Sequence, residues 1–310
     1  VKRKVKKEDL QDGMALLRQP VLPLASMVQF MYQLGGPGAR VEDIIAEMTE
    51  PIETGYTVYT EPDKLLRRYL EPLQLLETLK TAGTAGTEQQ PDELKAEVVD
   101  DLGQPVDAVT ACTAFINQRI LEAELEEINS RLCAPCHCRL CCVGPEQGME
   151  QEFFEIPLQA WEAELFALPR HDTSESRTRL ALDATADDSL LLIDGHPFYQ
   201  CSTPQLAHWR NGWSMILPKE SSCPALARNG RCNVYSNRPL VCRRPQIFAY
   251  LLEPLEPLET LETSEQSGKY MMRNTLLAVT DCPYVQILQE EIAAYAAACE
   301  LDCLLKANKG

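Results

Sequence analysis

Apolar residues recur at helical spacing over roughly the first 80 positions and again ahead of the first cysteine cluster. Beyond about residue 150 they give way to short continuous or alternating runs. Val41, Ile44, Ile45 and Met48 share one helical face, after Gly35-Gly36-Pro37-Gly38 has broken the chain. Thr60-Glu61-Pro62-Asp63 predicts a helix start with Thr60 as its cap and a carboxylate three residues on. Leu65, Leu66, Tyr69 and Leu70 form the apolar face of that helix, and Pro72 ends or kinks it. From Thr81 to about Gln104 periodicity is lost in TAGTAGTEQQPDE and mixed charge, which predicts a linker. Val109, Cys112, Phe115, Ile116, Ile120, Leu125, Ile128 and Leu132 then predict a long helix that runs straight into a group of cysteines.

The second half reads differently. EFFEIPLQAWEAELF predicts a short strand followed by a helix, and WSMILP another strand. SLLLIDGHPFYQC predicts a hairpin, because Asp194-Gly195 suits a tight turn between apolar runs. A proline-interrupted run, LLEPLEPLETLETSEQSG, covers residues 251–268. It matches residues 70–79 at eight of ten positions, which reflects composition bias rather than duplication. An Ala-rich helix from about Val285 to Lys306 closes the chain. The expected fold is α-rich α+β: a helical N-terminal region over 1–80, a linker over 81–106, and a cysteine-rich metal-binding domain with a few short strands over 107–310.

A chain of 310 residues, 45% of them hydrophobic, can bury a core without cross-links. Its net charge of −17 repels phosphate backbones, so no nucleic-acid partner is expected. The basic opening VKRKVKKE reads as a solvated terminus. No apolar stretch reaches the roughly 18 residues of a membrane span, and no apolar signal core follows the basic start. These readings point to a cytoplasmic, reducing environment in which disulfides are disfavoured. The odd count of 13 cysteines agrees, since pairing would leave a thiol over.

The cysteines carry the chemistry. Cys133, Cys136, Cys138, Cys141 and Cys142 fall in CAPCHCRLCC, and Cys223, Cys232 and Cys242 follow in CPALARNGRCNVYSNRPLVCRRP. Thiolates at such spacing repel one another unless a cation neutralises them. Cys133/Cys136 and Cys138/Cys141 have the Cys-x-x-Cys spacing that grips one metal from a single turn. Adjacent Cys141 and Cys142 suit a polynuclear site or two sites sharing one loop. Cys282, in DCPY, is a further candidate ligand, whereas Cys112, Cys201, Cys299 and Cys303 read as core thiols. The set is nearly all sulfur, with His137 the one histidine inside it, so zinc and iron–sulfur clusters both fit. Arg139, Arg231, Arg238, Arg243 and Arg244 are placed to offset thiolate charge, and Arg139, Arg238 and Arg243 are the candidate cofactor-contacting cations.

Cys138, Cys141, Cys142, Cys223, Cys232, Tyr235, Arg238, Pro239, Cys242 and Arg243 together resemble the YkgJ-type cysteine-cluster family, described as zinc- or iron-chelating. The usual pattern there is CxxCGxCC, then CPFL, C-I-Y, an RP pair and CR. Arg139 stands in place of the usual Gly, and Pro135 occupies the expected place of the leading cysteine, leaving Cys133 or Cys136 to substitute. The resemblance spans about residues 133–245. It implies a metal site, with a Cys-ligated iron–sulfur cluster of 4Fe–4S type favoured over zinc, and a redox or accessory role with a protein or redox partner. Two alternatives accompany it: a zinc-stapled interaction module, and a cluster-bearing enzyme resembling the flagellin lysine methylases. No Ser-His-Asp arrangement, HExxH motif or Walker loop occurs, so a catalytic residue is not assigned.

Overall fold

The computed structural model describes residues 5–36, 38–82, 96–136, 138–185, 190–228, 230–243, 246–255 and 269–307. In chain order, helices α1 (Gln11–Leu17), α2 (Leu22–Leu34) and α3 (Val41–Glu47) precede a small hairpin, β1 (Ile52–Glu53) and β2 (Val58–Tyr59). Helices α4 (Pro62–Arg67), α5 (Leu70–Leu73) and α6 (Leu75–Ala82) follow, then strand β3 (Glu97–Val99) and the long helix α7 (Ala108–Cys136). Next come β4 (Phe153–Leu158), α8 (Ala160–Ala163), β5 (Arg170–His171), β6 (Leu192–Ile193), β7 (His196–Pro197), β8 (Gln205–Trp209), β9 (Gly212–Pro218) and α9 (Leu240–Arg243). Strands β10 (Ile247–Pro254) and β11 (Lys269–Val279), helices α10 (Pro283–Ile287) and α11 (Gln289–Ala298), and β12 (Asp302–Lys306) complete the order.

The fold is not α-rich. Helix accounts for 42% and strand for 23% of the structure, and the strands build several sheets rather than a few isolated pieces. Two of these sheets have four strands. The chain divides into two compact units, one formed by Val1–Pro135 with Gln246–Ala307 and the other by Cys136–Pro245. The stretch 107–310, expected as one domain, is thus shared between both. Residues 83–95 of the expected linker lie outside the described residues. The end of that linker is strand β3, which pairs in parallel with β11 through Glu97, Val98 and Val99.

In the first unit, α2 to α6 gather an apolar core with Cys112, Ile116 and Ile120 of α7. Asp107 starts α7 by accepting the Val109 and Thr110 N–H groups at 2.9 and 3.0 Å. Helix α4 begins at Pro62 with Glu61 at the cap position and no side-chain cap bond, so Thr60 is not its cap. Strand β11 pairs antiparallel with β10 on one side and parallel with β12 and β3 on the other. The expected terminal helix stops at Ala298. Glu300 then turns the chain at φ 57°, and Asp302–Lys306 joins the sheet as β12.

The second unit is built on the sheet β4-β9-β8-β5. Leu206, Met215 and Leu217 face one core with Ile156, Leu158 and Phe166, while Ala207 and Ile216 face another with Phe198 and Trp209. A strand covered on both faces has no reason to alternate, and Ser214 to Pro218 of β9 are accordingly buried without a break. The hairpin β6–β7 forms around Asp194 and Gly195, whose φ values of 52° and 83° are those of a tight hairpin turn.

Candidate functional site

One face of the β4-β9-β8-β5 sheet carries the cysteines. Cys223, Cys232 and Cys242 are partly buried and pack with Val234 against the core of Ile156, Met215, Leu217 and Ala225. The first cysteine loop is tied to the second by main-chain bonds. Cys223 N–H donates to the Cys142 carbonyl at 2.8 Å, Gly144 N–H to Ser221 at 2.9 Å, and Glu220 N–H to Pro145 at 2.9 Å. Val143 and Ser222 form an antiparallel bridge between them. Gly144 is required here, because a Cβ at this position would lie 1.9 Å from the Pro218 carbonyl oxygen. Cys232 bridges to Leu226 across a narrow turn closed by Gly230 at φ 83°. Cys242 sits in the single turn α9.

Three chain segments therefore deliver thiols to one neighbourhood. Cys141 and Cys142 sulfurs are 3.9 Å apart. The Cys141 thiol is pushed well above its ordinary value, first by its hydrogen bond to Cys142, then by burial and by the Cys142 and Cys138 charges. Burial raises Cys223, and Cys232 and Cys141 add to it. Cys242 is pushed up to about 12 by burial, with Cys141, Cys223 and Cys232 reinforcing the shift and the Arg238 cation opposing it. Cys141, Cys223 and Cys242 thus each disfavour the thiolate in the absence of a nearby cation. No disulfide joins any of the 13 cysteines.

The arginines act on the backbone. Arg238 is 7% exposed. Its Nε donates to the Tyr235 carbonyl at 3.0 Å and its Nη1 to the Cys242 carbonyl at 3.2 Å, while the guanidinium lies 3.9 Å from the Tyr235 ring centre. Arg243 Nε donates to the Arg238 carbonyl at 2.8 Å. Arg139 is exposed and packs over Gly230, whose added Cβ would stand 3.3 Å from its Nε.

The remaining candidates are distributed. Cys133 and Cys136 lie in the last turn of α7, with the boundary between the two units falling after Pro135. Cys282 belongs to the first unit, fully buried at the cap of α10. His137 and Arg244 lie outside the described residues. His208 is engaged elsewhere, hydrogen-bonded to Asp172 at 3.1 Å and stacked on Trp213. Among the described residues, no group of three or more His, Cys, Asp or Glu side chains is arranged to hold a metal ion. The second unit thus brings thiols from three segments into one neighbourhood without a closed cage among the described residues. No protein-family model, curated protein or solved structure matches the chain.

Two residues next to this chemistry were not read from the pattern. Glu162 is 1% exposed and touches the turn that bears Cys242, and Gly144 lets the two cysteine loops meet. The spacing of Gln159 and Glu162 marks only the start of α8, and what Glu162 and Gly144 do at the site is in each case defined by a partner some 75 positions along the chain.

Proposed function

We propose that the thiols of Cys136–Pro245 ligate a thiophilic metal centre, an iron–sulfur cluster in preference to zinc, and that the protein has a redox or accessory role with a protein partner in the cytoplasm. The observation that carries this reading is that Cys141 lies within electrostatic reach of Cys138, Cys142, Cys223 and Cys242, and Cys232 within reach of Cys223 and Cys242, so that three segments of the chain converge. Raised pKa values keep Cys141, Cys223 and Cys242 protonated and neutral, and a thiophilic cation that displaces those protons would hold several sulfurs at once. The order and spacing of these residues, which resemble the YkgJ-type pattern, support the same reading. Cys141, Cys142, Cys223, Cys232 and Cys242 are the ligands assigned first, with Cys138 beside them.

An iron–sulfur cluster would supply one-electron transfer, whereas zinc would supply a cross-link between the loops. The chain's own part is to bring the sulfurs together through the Cys142–Cys223 and Gly144–Ser221 bonds, and to place the Arg238 cation beside Cys242. No helix among the described residues is long and apolar enough to cross a membrane.

The test is iron, zinc and acid-labile sulfide content of protein purified without oxygen, in wild type, Cys141→Ser, Cys242→Ser and Cys299→Ser. Iron with matching sulfide, lost in the first two variants and kept in the third, is the expected result. Zinc without sulfide would establish the stapled module instead. Metal-free wild type, or equal metal in all four, would overturn the ligand assignment.

A further inference from the structure

Glu162 is a carboxylate withdrawn from water, and among the described residues no cation accompanies it. Such burial costs several kcal/mol unless both oxygens are satisfied. Here both are, by backbone donors. Oε2 accepts the Gln159 N–H at 2.9 Å, which is local and closes the start of α8. Oε1 accepts the Leu240 N–H at 2.7 Å, across 78 residues of chain.

Leu240 opens α9, a four-residue turn whose third residue is Cys242. A single turn fixes several dihedrals for very few internal bonds and does not hold itself in place. This one is held from outside at both ends. Glu162 takes the N–H of its first residue, and Arg238 donates to the carbonyl of Cys242 at 3.2 Å. The α8 carboxylate, standing directly after strand β4, therefore ties the Cys242 turn to the sheet that carries the other thiols.

We propose that Glu162 is the positioning residue for Cys242, directing its thiol toward Cys141, Cys223 and Cys232. In its metal half this rests on the thiols being ligands; the placement of Cys242 itself does not. A carboxylate serving only as the cap of α8 would affect stability and leave Cys242 unchanged, so the two roles separate experimentally.

The experiment compares wild type, E162A and E162Q for site-resolved iodoacetamide alkylation by mass spectrometry, with Cys201 of the same unit as internal reference. In parallel, each is titrated with Co2+ alone, reading thiolate-to-metal charge-transfer absorbance. E162A is expected to alkylate Cys242 about 10-fold faster, the effect of one lost charge-assisted bond, with Cys201 unchanged. Its Co2+ spectrum should lose intensity as that of C242S does. E162Q offers one carbonyl oxygen to two N–H groups, Leu240 and Gln159, so its Cys242 rate should fall between those of wild type and E162A. If E162A does not fold, L240P removes the donor from the opposite side at a helix position that tolerates proline, and the same selective gain at Cys242 is expected. Wild-type Cys242 reactivity in folded E162A or L240P overturns the proposal. A wild type that takes up no Co2+ sinks the metal reading alone, because alkylation still decides the role of Glu162.

Discussion

Glu124 shows what a single side chain can impose. It lies on α7, 3% exposed, where Oε1 accepts the Val21 N–H at 3.0 Å and Oε2 meets the Tyr295 hydroxyl at 2.7 Å. Burial lifts its pKa from 4.5 to about 8, against the lowering effect of those hydrogen bonds and of Arg68. The native state therefore holds a proton that the unfolded chain releases above pH 4.5, so stability is greatest below that value and declines as pH rises through the native pKa. The slope should not exceed about 1.4 kcal/mol per pH unit. E124Q mimics the protonated acid, with an acceptor for Val21 and a donor for Tyr295. Urea unfolding between pH 5 and 8.5 should show a flatter profile in E124Q and a variant more stable than wild type at the alkaline end; a wild type that gains stability over this range would refute the assignment. At this scale the cysteines were readable because thiol spacing is itself chemical information. Glu124 and Glu162 were not, because an acid in a helix reads as solvated until its distant partners are known.

Elements are held to one another by side chains that read backbone. Strand β10 slips register between Tyr250 and Leu252, which leaves the intervening main chain outside the ladder. Gln118 of α7 fills the gap, accepting the Leu251 N–H at 2.8 Å and donating to the Ala249 carbonyl at 3.1 Å. Asn129, fully buried on α7, donates to the Ile247 carbonyl at 2.9 Å and accepts the Tyr284 hydroxyl at 2.7 Å. N129A would strand both partners, and should cost about 2–4 kcal/mol in chemical denaturation; Y284F, losing one bond, should cost about 1 kcal/mol. Equal and negligible losses would show that water replaces the amide. Helix α7, the strands β4 and β9 and the Asp194-Gly195 hairpin follow local signals: a helical period, short apolar runs and a turn pair. The terminal helix does not: Leu304 and Leu305 match a helical face as well as a strand, and pairing with Leu277 and Ala278 of β11 makes them strand. The tetrapeptide Leu-Glu-Pro-Leu makes the point within one chain. It is helical at 70–73, yet at 252–254 its first three residues lie in β10, paired with Met272, Met271 and Tyr270.

Over the whole molecule, charge is uneven. Cys136–Pro245 holds 11 basic and 13 acidic side chains, so nearly all of the net −17 lies in the rest of the chain. Self-repulsion of that excess opposes compaction, while isolated surface ion pairs such as Lys269–Glu97 at 2.8 Å return little. Raising NaCl from about 20 mM to about 500 mM shortens the screening length from roughly 20 Å to roughly 4 Å. The unfolding midpoint should then rise by about 2–4 °C, and a fall would mean that ion pairs outweigh repulsion.

What the sequence determined by itself was local or chemical. Helical and hairpin segments follow from periodicity and turn residues, and the candidate ligands from sulfur at short spacing. Tertiary structure alone decided which pieces share a unit, that 246–307 returns to the N-terminal helices, and that Cys282 and Cys242 belong to different bodies. It also decided where apolar runs of ambiguous period become strands, and which buried acids hold which turns. The physical reason is common to all of these. Periodicity and spacing act over a few residues and are written in order along the chain, whereas ladder pairing, burial and a carboxylate's choice of N–H depend on partners that only folding brings near.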